Sequence, residues 1–250
     1  MTFSNLISNF ELLVEELIPP QFDTLGAGRT VIQGYFLSIS NPGKKAVKLR
    51  LNFNAITSSL ANNPIVAFWD IDGTDKPLKP ISVSRKKQTY EVTVPAHDTG
   101  LFILQPDVTD PDVVNQADTE VRGYLEASLA SPIGNRKHRL LLSPEHRGTF
   151  LPKGFKAPAE ETRRLQDFDH LVYSIPTAQG GTQFTFKQIT PDLSNAEIPT
   201  RFEELDLEAE VLEQLLAEAS ENASIVAGSN VSALLSDMLE RLDALETVTE

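Results

Sequence analysis

The chain has 250 residues, a formal net charge of −13, no cysteine and 40% hydrophobic residues. The apolar content is sufficient for a hydrophobic core, and the absence of cysteine excludes disulfide bonds and thiolate chemistry. The acidic excess makes nucleic acid an unfavourable partner, because its phosphates would repel the molecule. The start lacks a basic, apolar leader and no run approaches the ~20 apolar residues of a membrane span. We therefore expect a cytoplasmic protein with no membrane span.

The charge is unevenly distributed along the chain. Residues 28–156 carry 17 Lys/Arg and 12 Asp/Glu, whereas residues 157–250 carry 5 and 19. Such asymmetry indicates separate parts with separate roles. We expect four segments: an amphipathic helix and linker (1–27), a β-sandwich domain (28–150), a linker with an extra hairpin (151–199) and an acidic helical oligomerisation segment (200–250).

The first segment has apolar residues at helical spacing, ended by Pro19 and Pro20. This spacing predicts an amphipathic helix over residues 3–18. Its polar face carries glutamates rather than lysines, which favours packing against protein over a membrane surface. The apolar residues are Phe3, Leu6, Ile7, Phe10, Leu13, Val14 and Leu17.

Residues 28–150 have the alternating pattern of half-buried strands. The clearest run, residues 47–55, places Leu51 and its neighbours of the same parity on one face. The preceding Asn41-Pro42-Gly43-Lys44 is typical of a turn and predicts a hairpin with residues 31–39. Seven or eight such strands predict an all-β, antiparallel sandwich of immunoglobulin-like or jelly-roll type. The resemblance to immunoglobulin-like modules is architectural and implies no particular function.

After residue 151, two further strands are predicted, one through Leu171 and Tyr173 and one through Phe184 and Phe186, paired as a hairpin. From residue 200 the pattern is helical, with apolar residues at steps of three and four that are typical of a coiled coil. We expect these helices to hold a homo-oligomer together, although packing within one chain is the alternative. The expected interface residues are Leu212, Leu216, Leu235, Met238, Leu242 and Leu245.

One motif suggests catalysis. An apolar run, residues 65–69, precedes Asp70-Ile71-Asp72-Gly73-Thr74. This resembles the first motif of the haloacid-dehalogenase-like phosphatases, which implies Asp70 as nucleophile, Asp72 as general acid/base and a bound Mg²⁺. That family carries the motif on a parallel sheet, whereas the flanking strands here have the period of an antiparallel one. The context favours a hairpin turn, where Asp-Gly is common.

The same turn offers weak candidate metal ligands in Asp70, Asp72 and Asp75, because alternating carboxylates suit a hard cation. The full calcium-loop pattern is absent, so we expect no metal and no other cofactor. The four histidines are scattered without metal-ligand spacing, and each is expected to be a surface or capping residue. They are His97, His138, His146 and His170.

The sequence therefore predicts a non-enzymatic interaction or scaffold protein that associates with itself and with an unknown protein partner. Two alternatives stay open. One is the Mg²⁺-dependent phosphatase on Asp70 and Asp72, and the other is a carbohydrate- or peptide-binding sandwich.

Overall fold

A computed structural model describes residues 4–56, 60–131, 136–157 and 168–188 of the chain. The chain divides into two units, Met1–Ala130 with Lys137–Phe186 and Ser131–Arg136 with Lys187–Glu250. The first unit contains the described fold. The predicted helices of the C-terminal segment, with all six expected interface residues, lie outside the described residues.

The described fold is a twelve-stranded antiparallel sheet with one six-residue helix, α1 (Pro111–Gln116). The predicted antiparallel β class is therefore confirmed. In chain order the strands are β1 (Asn5–Glu16), β2 (Thr30–Asn41), β3 (Val47–Asn54), β4 (Ile65–Asp70), β5 (Lys76–Pro77), β6 (Ser82–Val83), β7 (Lys87–Val94), β8 (Asp98–Pro106), β9 (Asp118–Leu129), β10 (Lys137–Phe150), β11 (Asp169–Ser174) and β12 (Gln183–Lys187).

The strands follow the order β5-β4-β8-β2-β1-β9-β3-β7-β6, with β10 on the other edge of β2 and both β11 and β12 on β10. Strand β2 is the branch point, because β1 and β8 share one of its edges. Its residues 30–33 pair with β1 and its residues 35–41 pair with β8. Gly34 lies between the two, and a Cβ there would stand 3.0 Å from the Cβ of Gln105. The absence of a side chain at Gly34 lets β8 approach where β1 leaves.

The sheet curls so that its two halves face each other across the core. Phe53 on β3 and Phe102 on β8 lie on strands that do not pair, because β9 and β1 separate β3 from the edge of β2 that β8 also joins. Their rings nevertheless stack with centroids 5.4 Å apart. Tyr90 on β7 also meets Phe102 at 5.4 Å, and Phe10 meets Phe53 at 5.2 Å. With Tyr35, which is 5.7 Å from Phe53, these residues form what we call the aromatic cluster.

The predicted N-terminal helix is wrong, because residues 5–16 form strand β1. This strand lies between β2 and β9, and Leu12, Leu13 and Val14 are all buried. A strand buried on both faces loses the alternation that identifies strands in a sequence. A register shift between Leu6 and Ser8 changes the parity once more. Burial on both faces and the register shift together give the apolar residues of β1 a spacing like that of a helix.

Two predicted pairings also differ from the structure. Strands β2 and β3 form where expected, with Leu51 buried, yet β2 pairs with β1, β8 and β10 while β3 pairs with β7 and β9. Strands β11 and β12 both pair with β10 rather than with each other. The hydrogen bonds thus define one continuous sheet instead of two separate ones. No helix in the described ranges is long and apolar enough to cross a membrane.

We predict that replacing Phe53 by alanine lowers the free energy of unfolding by about 3–5 kcal/mol, because the cluster loses its central ring. Phe22 is 70% exposed and provides the matched control, for which Phe22→Ala should change stability by less than about 0.5 kcal/mol. Urea unfolding of both variants measures the difference. Equal unfolding midpoints for the two variants would contradict the assigned core.

Candidate functional site

The Asp-x-Asp motif lies in the exposed turn between antiparallel strands β4 and β5. Asp70 accepts a hydrogen bond from the backbone N–H of Gly73 at 2.7 Å, and Gly73 has a φ of +81°. Asp72 forms an ion pair with Lys76 at 2.5 Å, and this hydrogen bond lowers the pKa of Asp72. The two carboxylates therefore organise a turn, and β4 lacks the parallel neighbours that the phosphatase motif implies.

Among the described residues, no group of three or more His, Asp or Glu side chains is placed to hold a metal ion. Asp75 follows the same turn in an exposed position. His97 and His170 are exposed as well. The expectation that all four histidines are surface or capping residues is wrong for His146, which is only 6% exposed.

His146 is part of a polar network that joins four strands. The backbone N–H of Glu11 donates to Nε2 of His146 at 3.1 Å. Since an N–H can only donate, Nε2 must be the acceptor, and the proton of the neutral ring is on Nδ1. Nδ1 then donates to the hydroxyl of Tyr173 at 3.0 Å, and that hydroxyl donates to Oε1 of Gln33 at 3.1 Å. Nε2 of Gln33 donates to Oε2 of Glu11 at 3.0 Å, so the last residue of the network is bonded to the first.

Charge and burial both act on this His146 network, which we define as Glu11, Gln33, His146, Tyr173 and Arg122. Arg122 on β9 donates to Oε1 of Glu11 at 2.5 Å. Burial lowers the pKa of His146, and the negative charge of Glu11 opposes this more weakly. Burial, followed by the charge of Glu11, raises the pKa of Tyr173. Both pKa shifts favour the uncharged forms, a neutral imidazole at His146 and a neutral phenol at Tyr173.

A closed network of this kind is poorly suited to acid–base catalysis. A general base must offer a free lone pair to a substrate, and Nε2 of His146 already accepts a backbone proton. The hydroxyl of Tyr173 accepts one hydrogen bond and donates another. Instead, the network connects β1, β2, β9, β10 and β11 close to Gly34 of the branch-point strand β2.

A cavity of about 650 Å³ lies between the loop after β1, helix α1 and the segment after β10. Its walls include the acidic Glu15 and the basic Arg29 and Lys153. Nε of Arg29 donates to the carbonyl of Leu151 at 3.0 Å, and Lys153 donates to the carbonyl of Gly26. These cations fasten neighbouring segments to each other, which indicates a structural role for this cavity.

Within the described residues, strand β11 has one edge that pairs with no other strand, which we call its open edge. The N–H of Ile175 donates to the carbonyl of Pro144 at 3.0 Å, directly after the last residue pair of β11 and β10. Hydrogen bonds in an antiparallel ladder involve every second residue of a strand. Asp169, Leu171 and Tyr173 therefore direct their backbone groups towards β10. The residues that direct theirs away from β10 are His170, Val172 and Ser174, and no other described strand pairs with β11.

The sequence contains a signal for the burial of His146. Leu140 and Leu142 are buried, and His146 has the same parity on the same strand. Pro144 conceals this signal, because proline cannot donate to a ladder and is typical of the end of a strand. Here its carbonyl still accepts from Ile175. The strand consequently continues for 14 residues.

The sequence matches no protein family model, and no curated protein or solved structure is significantly similar to it.

We predict that the stability of the protein falls as the pH drops from about 7 to about 5. An unfolded histidine titrates near ~6.5, and burial lowers the pKa of His146 in the folded state. Between the two values the unfolded state binds more protons, so acid favours unfolding. Glutamine can accept from Glu11 and donate to Tyr173 without titrating, so His146→Gln should flatten this pH dependence.

The control is the same substitution at exposed His170. Urea unfolding at several pH values should show a smaller slope of stability against pH for His146→Gln than for His170→Gln. Identical slopes for the two variants would show that the buried imidazole does not govern the pH response.

Proposed function

We propose that the protein is a non-enzymatic interaction or scaffold protein, a cytoplasmic β-sandwich-like module that works as a homo-oligomer. One observation carries this proposal: the polar groups of the His146 network bond one another, while several large apolar side chains face solvent. Polar groups that are bonded to one another favour a structural role, and exposed apolar side chains favour a surface that binds a partner.

The loop between β1 and β2 supports a binding role. Phe22 is 70% and Leu25 is 90% exposed, although both lie in a loop that is fixed by hydrogen bonds. The carboxylate of Asp23 accepts from the backbone N–H of Ala27 at 2.6 Å and from that of Gly28 at 2.9 Å. A loop held in this way loses little conformational entropy when a partner covers its apolar side chains.

Self-association through the C-terminal segment is the second part of the proposal, and it is based on the heptad spacing of the sequence. Residues 201–250 carry 13 acidic and two basic side chains. Helices of this length are marginal alone in water, so their apolar seam must be buried against another surface. The turn geometry of Asp70 and Asp72 gives the phosphatase alternative no support from the described residues.

We predict that the double variant Leu235→Lys/Leu242→Lys has a lower mass per particle than the parent, because two lysines on the seam oppose helix association. Ser236→Lys/Ala244→Lys adds the same charge outside the seam and is the matched control. Light scattering of the full-length proteins gives the masses. If the seam variant and the control both keep the parental mass, the segment does not hold subunits together.

A further inference from the structure

We propose that the open edge of β11 pairs antiparallel with β11 of a second copy of this chain, across a two-fold axis at Val172. This inference rests on the proposed interaction role and names one partner for it. The sheet of one copy would thereby continue into the sheet of the other.

The backbone hydrogen bonds of β11 have the phase that such pairing requires. His170, Val172 and Ser174 direct their N–H and C=O groups away from β10. With the axis at Val172, His170 lies opposite Ser174 of the second copy, and Val172 lies opposite its own equivalent. Every outward-facing residue therefore meets another outward-facing residue, which gives roughly six backbone hydrogen bonds between the copies. An axis midway between Leu171 and Val172 would set these two residues opposite each other and lose this match.

The side chains are compatible with the same register. Leu171 lies opposite Tyr173 of the second copy, an aliphatic–aromatic pair of the kind that stabilises antiparallel sheets. Val172, which is 62% exposed in the single copy, lies opposite Val172. Asp169 is the only Asp, Glu, Lys or Arg residue of β11, and it forms an ion pair with Arg29 of its own chain. No two like charges face each other, although the whole chain carries −13.

The two ends of the main strand order, β5 and β6, carry features that prevent edge pairing, and β11 does not. Strand β5 is two residues long and consists of Lys76 and Pro77, while β6 is also two residues long. Charge, proline and short length are the usual protection of a strand edge. Strand β11 has six residues with no lysine, arginine, glutamate or proline. Because a two-fold pairing uses the same edge on both copies, it closes after two chains.

The absence of natural cysteine makes single-cysteine cross-linking a direct test. In the proposed register the two Cα atoms at position 172 lie about 5.5 Å apart, within the ~4.4–6.8 Å range of disulfides. The two copies of position 170 lie about 14 Å apart, since four residues at ~3.4 Å separate them along the strand. Full-length Val172→Cys should therefore form a disulfide-linked dimer under mild oxidation, whereas His170→Cys and Ser174→Cys alone should not.

A mixing experiment tests the register itself. Position 170 faces position 174 of the second copy, so His170→Cys and Ser174→Cys proteins of different mass should cross-link to each other when mixed. No dimer with Val172→Cys, or equal cross-linking by all three single variants, would overturn the proposal. Pairing through β11 could by itself keep two chains together, so the seam variant and its control are also compared in a Val172→Lys background, where a charge on the edge opposes that pairing. In that background a seam variant of unchanged mass contradicts the proposed function, whereas a failed cysteine pattern contradicts the β11 pairing alone.

Discussion

The contact between Phe53 and Phe102 is the constraint on which the rest of the fold depends. It joins two strands that do not pair with each other, so the sheet must curl before the two rings can meet. Five aromatic side chains share this position, and their edge-to-face and stacked contacts are favourable beyond the area that they bury. The curl in turn decides which surfaces of the sheet are buried and which edges stay open.

The curl also leaves polar groups that need hydrogen-bond partners, and the His146 network provides these partners. Where β1 leaves β2, each strand turns polar groups into a partly buried space, and an unmatched group there costs about 1–3 kcal/mol. Gln33 is 4% exposed and Glu11 is half-buried, and both are satisfied within the network. Its Tyr173 belongs to β11, so the same contacts that close the branch point also position the open edge. The buried titratable groups of the network thus fix the position of β11 on β10.

The sequence was sufficient for the antiparallel class and for strands such as β3 and β7, where one buried face leaves a clear alternation. It misled at β1, because a central strand is buried on both faces and this one also carries a register shift. It could not give the pairing of β2 with β8, since Asn41-Pro42-Gly43 has the chemistry of a hairpin turn yet leads from one half of the sheet to the other. The His146 network draws on residues 11, 33, 122, 146 and 173, whose proximity depends on that topology.

The most direct measurement is the nuclear Overhauser effect between the ring protons of Phe53 and Phe102, in protein labelled selectively at phenylalanine and assigned with Phe53→Leu and Phe102→Leu variants. Ring centroids 5.4 Å apart should give strong cross-peaks between these two residues. Assigned rings without any cross-peak between them would contradict the curled sheet, and with it the position assigned to the branch point, the His146 network and the open edge of β11.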